Sequence, residues 1–261
     1  MNPLHAVLTD PWPDAPRRAF ATSVAATDPP RARFTTLGLD LARALRARDR
    51  YDDWSGIEQA MMLACPPSQR EVWLASLYTA VGPGPRPLVT FGRGFAEGLR
   101  IDAARFLDRA QDIYAEAPIL DLTLTDLAPV ADAFFDSPFT ARLRSLGFGD
   151  ASMTAGCVER LAASPFLGKL VWLNLYAQPC GTAGFEHLAR SRNLGALAWV
   201  GGGGRDTPDV NPIAKEDEGG AYDHSPNPYA ASLIERFGAS KWLSGVWDRA
   251  EEPRAVALTG G

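Results

Sequence analysis

From residue 119 onward the chain places apolar residues on a fixed period. Ile119-x-x-Leu122-x-Leu124, Leu143-x-x-Leu146-x-Phe148, Leu170-x-x-Leu173-x-Leu175 and Leu197-x-x-Val200-x-Gly202 share one template; the last three copies keep a 27-residue register and the first lies 24 before them. The fourth and sixth positions alternate with polar or exposed types, so each copy predicts a short strand with one apolar face. The connecting segments repeat too. Thr154-Ala-Gly matches Thr182-Ala-Gly one position beyond that register, and Phe135-Asp-Ser-Pro-Phe matches Ala163-Ser-Pro-Phe and, more loosely, Ala189-Arg-Ser-Arg-Asn. Each unit therefore predicts a strand, a turn, a helix opened by a threonine cap, and a returning loop.

One such unit cannot bury its own leucines, so neighbouring units must stack. The L-x-x-L-x-L spacing is that of leucine-rich repeats at the long end of their range. It predicts an α/β fold: a short solenoid of about four units over 119–210, with parallel strands inside and helices outside. The asparagine that usually tucks into the repeat turn is missing; its positions hold Leu127, Ala151, Gln178 and Arg205.

Upstream, apolar residues follow helical spacing between proline breaks at Asp10-Pro-Trp-Pro, Asp28-Pro-Pro, Cys65-Pro-Pro and Gly82-Pro-Gly-Pro-Arg-Pro. Phe34 to Arg48 sets Leu37, Leu41 and Leu45 on one stripe. Ser55-Gly-Ile-Glu58 and Ser68-Gln-Arg-Glu71 fit capping boxes. Residues 1–90 thus read as a helical domain. Phe91 to Asp102 reads as a lead-in strand through Leu99 and Ile101, with Asp102 capping a helix that carries Phe106, Leu107, Ile113 and Tyr114. The arc with its lead-in occupies 91–210. Residues 211–225 are polar and loop-like, and Pro228–Phe237 and Ser240–Trp247 are an apolar pair expected to form a helical cap within 211–261.

Composition narrows the class. Hydrophobic residues make up 46% of 261, enough for a sizeable core, with no apolar run of membrane-spanning length. The first residues show neither a basic nor an apolar leader region, so a cytoplasmic location is expected. A net charge of -5 argues against nucleic acid and against an anionic membrane as main partners. Cys65, Cys157 and Cys180 are far apart and odd in number, which fits buried thiols rather than disulfides or a zinc site.

Several stretches resemble a known family. Asp14-Ala-Pro-Arg17, Asp28-Pro-Pro-Arg-Ala-Arg-Phe34, the arginine-rich Leu39 to Arg48 helix and Arg93-Gly-Phe-Ala-Glu-Gly-Leu-Arg100, together with the repeats, resemble bacterial leucine-rich-repeat proteins that carry a repeat-companion domain at the N-terminus. The likeness spans residues 10 to 200. At Phe20-Ala-Thr-Ser-Val-Ala-Ala26 the chain departs from the family's acidic, tyrosine- and tryptophan-containing helix. The resemblance implies a recognition scaffold and transfers no catalytic residue.

Candidate chemistry is sparse. Gly201 to Gly204 is followed by Arg205-Asp-Thr-Pro rather than the Lys-Ser/Thr of a phosphate loop, and Pro208 and Pro212 disfavour the helix a dinucleotide site needs. His5, His187 and His224 share no ligand spacing. Asp206, Asp209, Glu216, Asp217 and Glu218 lack the alternation of a calcium loop. No nucleophile elbow is present, so no catalytic residue, metal or cofactor is expected. The strand period does point somewhere. If Leu170, Leu173 and Leu175 face inward, Trp172, Asn174 and Tyr176 face outward on the concave side, followed on the next strand by Trp199, Gly201 and Gly203. Earlier strands present Asp121, Thr123 and Thr125, then Ser145, Gly147 and Gly149. Trp172 and Trp199 should stack on adjacent strands, forming a partner-binding patch for another protein, unless the C-terminal segment folds over them. The alternatives are an enzyme or small-ligand binder using Arg93, Glu97 or Arg100 between the helical domain and the arc, and a structural or inhibitory, immunity-type subunit.

Overall fold

The computed structural model describes residues 2–46, 51–150, 152–203, 213–216, 222–225 and 228–243. Five helices come first: α1 (Pro3–Thr9), α2 (Asp14–Val24), α3 (Pro29–Arg46), α4 (Tyr51–Ala64) and α5 (Pro67–Val81). Proline opens α1 and α5, where a missing amide removes no helical hydrogen bond. Neither expected capping box opens a helix. Pro66 is the cap of α5 and Ser68 already lies inside the helix, while Ser55 falls within α4. The buried line of α3 is Phe34, Gly38, Leu41 and Ala44, rotated from the expected stripe; Leu37 and Leu45 are half-buried.

The segment expected as one lead-in strand is a hairpin. β1 (Leu88–Gly92) pairs antiparallel with β2 (Phe95–Asp102) around Arg93-Gly94. Both turn residues have positive φ, 47° and 84°, the geometry of the tight hairpin turn that matches strand twist. The turn backbone lies directly on α3. A Cβ on Gly94 would sit 2.3 Å from Thr35 Cα, and one on Gly38 would sit 2.5 Å from Gly94 N, so glycine is required on both sides.

Arginine is an unfavourable residue at φ 47°, and its burial explains why it stays there. Arg93 donates to the carbonyls of Trp12 and Pro11 and pairs with Asp14 at 3.3 Å and Glu97 at 3.0 Å. Arg17, fully buried, donates to Pro11 O at 2.7 Å and pairs with the same Glu97 oxygen. Burial pushes Arg17 down to about 10, against the pull of Glu97 and Asp14 and with the push of Arg93. Around these charges Phe95 takes Arg17 on its ring at 4.9 Å and Arg31 at 5.2 Å, and Phe34 meets Phe91 edge-on at 5.3 Å.

After the hairpin, helices and strands alternate: α6 (Ala103–Glu116), β3 (Asp121–Thr125), α7 (Ala131–Phe135), β4 (Ser145–Phe148), α8 (Ala155–Ala163), β5 (Trp172–Asn174), α9 (Gly181–Arg190) and β6 (Trp199–Gly201). Asp102 caps α6 as expected, accepting from Arg105 N at 2.8 Å. Strands β1 to β6 form one sheet in chain order, mostly parallel. By contacts, the described residues fall into two compact units. One is built from Met1–Ile101 and Asp108–Asp121, the other from Asp102–Leu107 and the residues from Leu122 on.

The 27-residue register read from the sequence is the strand pairing itself. Ser145 pairs with Trp172 and Trp172 with Trp199; Leu146 pairs with Leu173 and Leu173 with Val200. Ile119, Leu122, Leu124, Leu143, Leu146, Leu170, Leu173, Leu175, Leu197 and Val200 are all at most 2% exposed. Phe148 is half-buried.

Polar side chains fasten one repeat to the next. Ser137, Ser164 and Ser191 stand in the same 27-residue register, and each accepts from the amide two positions on. Ser164 also donates to Phe135 O and Ser191 to Ala162 O, both at 2.6 Å, reaching back into the preceding unit. Gln178 occupies one of the positions where the leucine-rich-repeat spacing leads to an expectation of asparagine. It is buried and accepts from Met153 N at 3.1 Å. Thr154 caps α8 through Cys157 N. Thr182 does not cap α9. It stands one position past the 27-residue register, inside a helix that Cys180 precedes.

α10 (Pro228–Phe237) packs against α9. Tyr229 donates to Thr182 O at 3.0 Å, Arg236 pairs with Glu186 at 2.7 Å, and the rings of Tyr229 and Trp242 contact Phe185. Residues 213–216 and 222–225, expected as loop, are strands β7 (Ile213–Glu216) and β8 (Tyr222–Ser225) of an antiparallel pair. Such short strands leave too few positions for alternation to register in sequence. Ala151, Gly204, Arg205, Asp206, Asp209, Asp217, Glu218 and Trp247 lie outside the described residues.

Glu97→Gln removes the carboxylate shared by two buried guanidinium groups, and its expected cost in urea unfolding is about 3–5 kcal/mol. A loss under about 1 kcal/mol contradicts the cluster's role. A second expectation concerns pH. Burial pushes the Cys65 thiol up to about 11 from 9.0, against Arg70 and Arg31. The folded chain thus keeps a proton that the unfolded chain gives up, so this stability is full below pH 9 and is lost as pH rises towards 11. The melting temperature falls across that window, and Cys65→Ala makes the fall shallower; an unchanged slope contradicts it.

Candidate functional site

The six residues expected to form the patch come together on β5, β6 and the residues just beyond each strand; of the other positions that the strand period placed outward, Ser145 and Gly147 are buried. Trp172 and Trp199 are register partners, and their rings stack at 3.6 Å with 14° between planes. Both are half-buried. Parallel strands with identical phase bring equivalent side chains to about 4.8 Å in backbone, which leaves two indoles little choice but to lie face to face.

One row along, Asn174 pairs with Gly201. Gly201 is bare for a local reason: a Cβ there would lie 2.3 Å from Trp199 Cη2 and 3.1 Å from Asn174 Oδ1. The indole of Trp199 therefore lies across its own strand and fills the place a side chain would take. Asn174 turns its Oδ1 to Tyr176 N at 2.9 Å. That bond orients the carboxamide.

The pairing continues past the last strand. Gly201 O accepts from Leu175 N at 2.8 Å and Gly203 O from Ala177 N at 2.9 Å. Gly203 has φ 112°, where a side chain is strained, and the Tyr176 ring sits 3.7 Å from the Cβ it lacks. Ala177 has φ 58° and Asp126 φ 53°, each two positions after the third apolar residue of its unit. The chain thus leaves the sheet by a left-handed step at equivalent places. Tyr176 is 66% exposed, among the most open of the large apolar side chains.

The six residues themselves carry no carboxylate, amine or imidazole. They offer two stacked indoles, a phenol, a primary amide and bare glycine backbone, all suited to contact with another polypeptide. The described part of the C-terminal segment packs on α9 through Tyr229, Arg236 and Trp242.

The residues considered for a small-ligand site lie elsewhere. Arg93 and Glu97 are buried and paired with each other, while Arg100 is exposed. His187 Nδ1 is 4.0 Å from a Glu159 oxygen, and His5 lies beside Thr9. Among the described residues no three His, Cys, Asp or Glu side chains are placed to hold a metal, and no helix is long and apolar enough to cross a membrane. The Arg17–Glu97–Arg93 cluster escapes sequence reasoning because its members come from α2 and the hairpin, distant in the chain and with no shared spacing. Gln178 is visible in sequence only as a departure from asparagine. No family model, curated protein or solved structure matches the chain.

Gly201→Ala forces the Trp199 ring out of its place, and the expected result is loss of the coupled-indole signal in near-ultraviolet circular dichroism. Gly147→Ala is the control, because its Cβ would meet Thr123 and Asn174 only at 3.6 and 3.7 Å. Equal spectra for the two variants contradict the packing described.

Proposed function

We propose that the chain is a non-catalytic recognition scaffold of the leucine-rich-repeat kind. It captures a partner protein on the strand face formed by Trp172, Asn174, Tyr176, Trp199, Gly201 and Gly203. The observation that carries this reading is the stacked Trp172–Trp199 pair beside a tyrosine left 66% exposed. Aromatic side chains with this much open area are unfavourable to leave in water, and they dominate the energetics of protein interfaces. Fixed rings lose little conformational entropy on binding, so the stack is prepared for contact rather than ordered by it.

The 27-residue pairing register and the serines that tie each unit to the one before it support a short leucine-rich-repeat arc. On this reading the N-terminal helices are the repeat-companion domain that the sequence resembles, and the working compartment is the cytoplasm.

The test is quantitative pull-down from a native lysate with wild type, Tyr176→Ala and the pair Trp172→Ala with Trp199→Ala. Tyr176→Ala should alter stability by no more than about 0.5 kcal/mol, being a surface change. Both variants should lose a specific partner by at least about tenfold, the effect of removing a hot-spot side chain. A wild-type chain that captures nothing, or variants that capture as wild type does, overturns the proposal.

A further inference from the structure

A second surface lies on the helical hairpin of α2 and α3. The two helices are joined by only Ala25–Asp28, so they run antiparallel, and a groove of about 480 Å³ lies between them. Its lining is small: Ala21 and Ala32 are buried beside the buried Leu39, and Ala25 is exposed at the end of α2. On α3 the lining residues Arg33, Thr36, Asp40 and Arg43 follow one another at three- and four-residue steps, and along α2 and its C-cap Ala21 and Thr22 lie three and four residues after Arg18, with Ala25 four and three after them. That is the spacing of one exposed helix face on each side.

The charge of this hairpin runs against that of the chain. Over 14–46 there are six arginines and three aspartates in a protein whose net charge is -5. Two of those aspartates are turned inward: Asp14 to Arg93, and Asp28 to Trp73 Nε1 and Arg31 N. Among the described residues lining the groove, Arg18, Arg33 and Arg43 face one carboxylate, Asp40, with Asp14 reaching Arg18 only at 4.0 Å. Arg18 and Arg43 are 55% and 65% exposed in weak contacts with Asp14 and Asp40, and Arg33 makes no ion pair among the described residues.

We infer that this groove receives an acidic amphipathic helix of a partner protein. Two parallel ridges over an alanine floor are the seat of a third helix, because small residues let its axis approach closely while its flanks reach the arginine rims. From Arg33 to Arg43 is ten residues, or about 15 Å, which fits a segment of roughly three turns. A lipid surface meets only the rims, since Ala21, Ala32 and Leu39 are buried at the floor and offer a bilayer no apolar area to enter. Charge complementarity selects glutamate or aspartate on the segment's flanks and rejects lysine there.

The experiment uses the full chain and a fluorescein-labelled, lactam-stapled helical peptide of about three turns, with Leu and Ala inward and Glu on both flanks. A peptide with Lys for Glu and vesicles of phosphatidylglycerol with phosphatidylcholine serve as comparators. The Glu peptide should bind saturably and more weakly as salt rises, while the Lys peptide and the vesicles should not bind. Arg33→Glu with Arg43→Glu should weaken the Glu peptide by at least about tenfold and admit the Lys peptide, with an unchanged melting temperature. Ala25→Phe, which places an exposed ring in the groove without altering charge, should also lose the Glu peptide, whereas Tyr176→Ala should bind it normally. Equal binding of both peptides, no binding of the Glu peptide, or binding of the vesicles instead overturns the inference.

Discussion

A unit with three leucines on one side of a short strand cannot hide them alone, and the repeating half of this protein follows from that constraint. The leucines are covered only when the next strand lies alongside in the same phase, which is how Leu146, Leu173 and Val200 meet. Strand geometry then dictates the opposite face. Whatever stands just before the central apolar residue must meet its counterpart in the next unit, and on β5 and β6 those side chains are tryptophans. The face proposed for recognition is thus a by-product of core register: a slip of one residue would bury Trp172 and expose Leu173.

Polar groups convert this stacking preference into a defined spacing. Apolar contact alone tolerates sliding, but Ser164 and Ser191 reach specific carbonyls of the preceding unit, and Gln178 holds Met153 N from beneath. Each is a buried or half-buried bond whose loss leaves a backbone group unpaired, at about 1–3 kcal/mol. The helical region solves its own problem differently. Its hairpin turn must touch α3 backbone to backbone, which demands glycine at 38 and 94, and the strained Arg93 is held by the carboxylates of Asp14 and Glu97 and the carbonyls of Pro11 and Trp12. A buried charge cluster of this kind contributes little net stability yet punishes any alternative arrangement.

The repeats are legible in the sequence because their signal is cumulative: four copies of a period-2 pattern agree even though none is decisive alone. The outward residues follow from parity, and Trp172, Asn174, Tyr176, Trp199, Gly201 and Gly203 do lie together. What stays hidden depends on contacts between distant segments or on backbone chemistry that competes locally. Pro66 and Pro67 start α5 ahead of Ser68, although the Ser-x-x-Glu motif is present. Arg93-Gly94 lacks the asparagine that usually announces a tight hairpin, so two strands read as one. The stripe on α3 is misplaced by hydrophobic patterning because Gly38, silent in that pattern, is where the hairpin docks.

The central claim is that the partner meets the strand face of β5 and β6 rather than the helical side of the same units. Site-specific photocrosslinking asks this directly, with a benzophenone amino acid placed at Asn174 on the strand face or at Glu159, whose side chain is 64% exposed on α8. The account predicts a covalent adduct with the captured protein from position 174 and none from 159. Adducts from 159 with none from 174 would place recognition on the helices and contradict it.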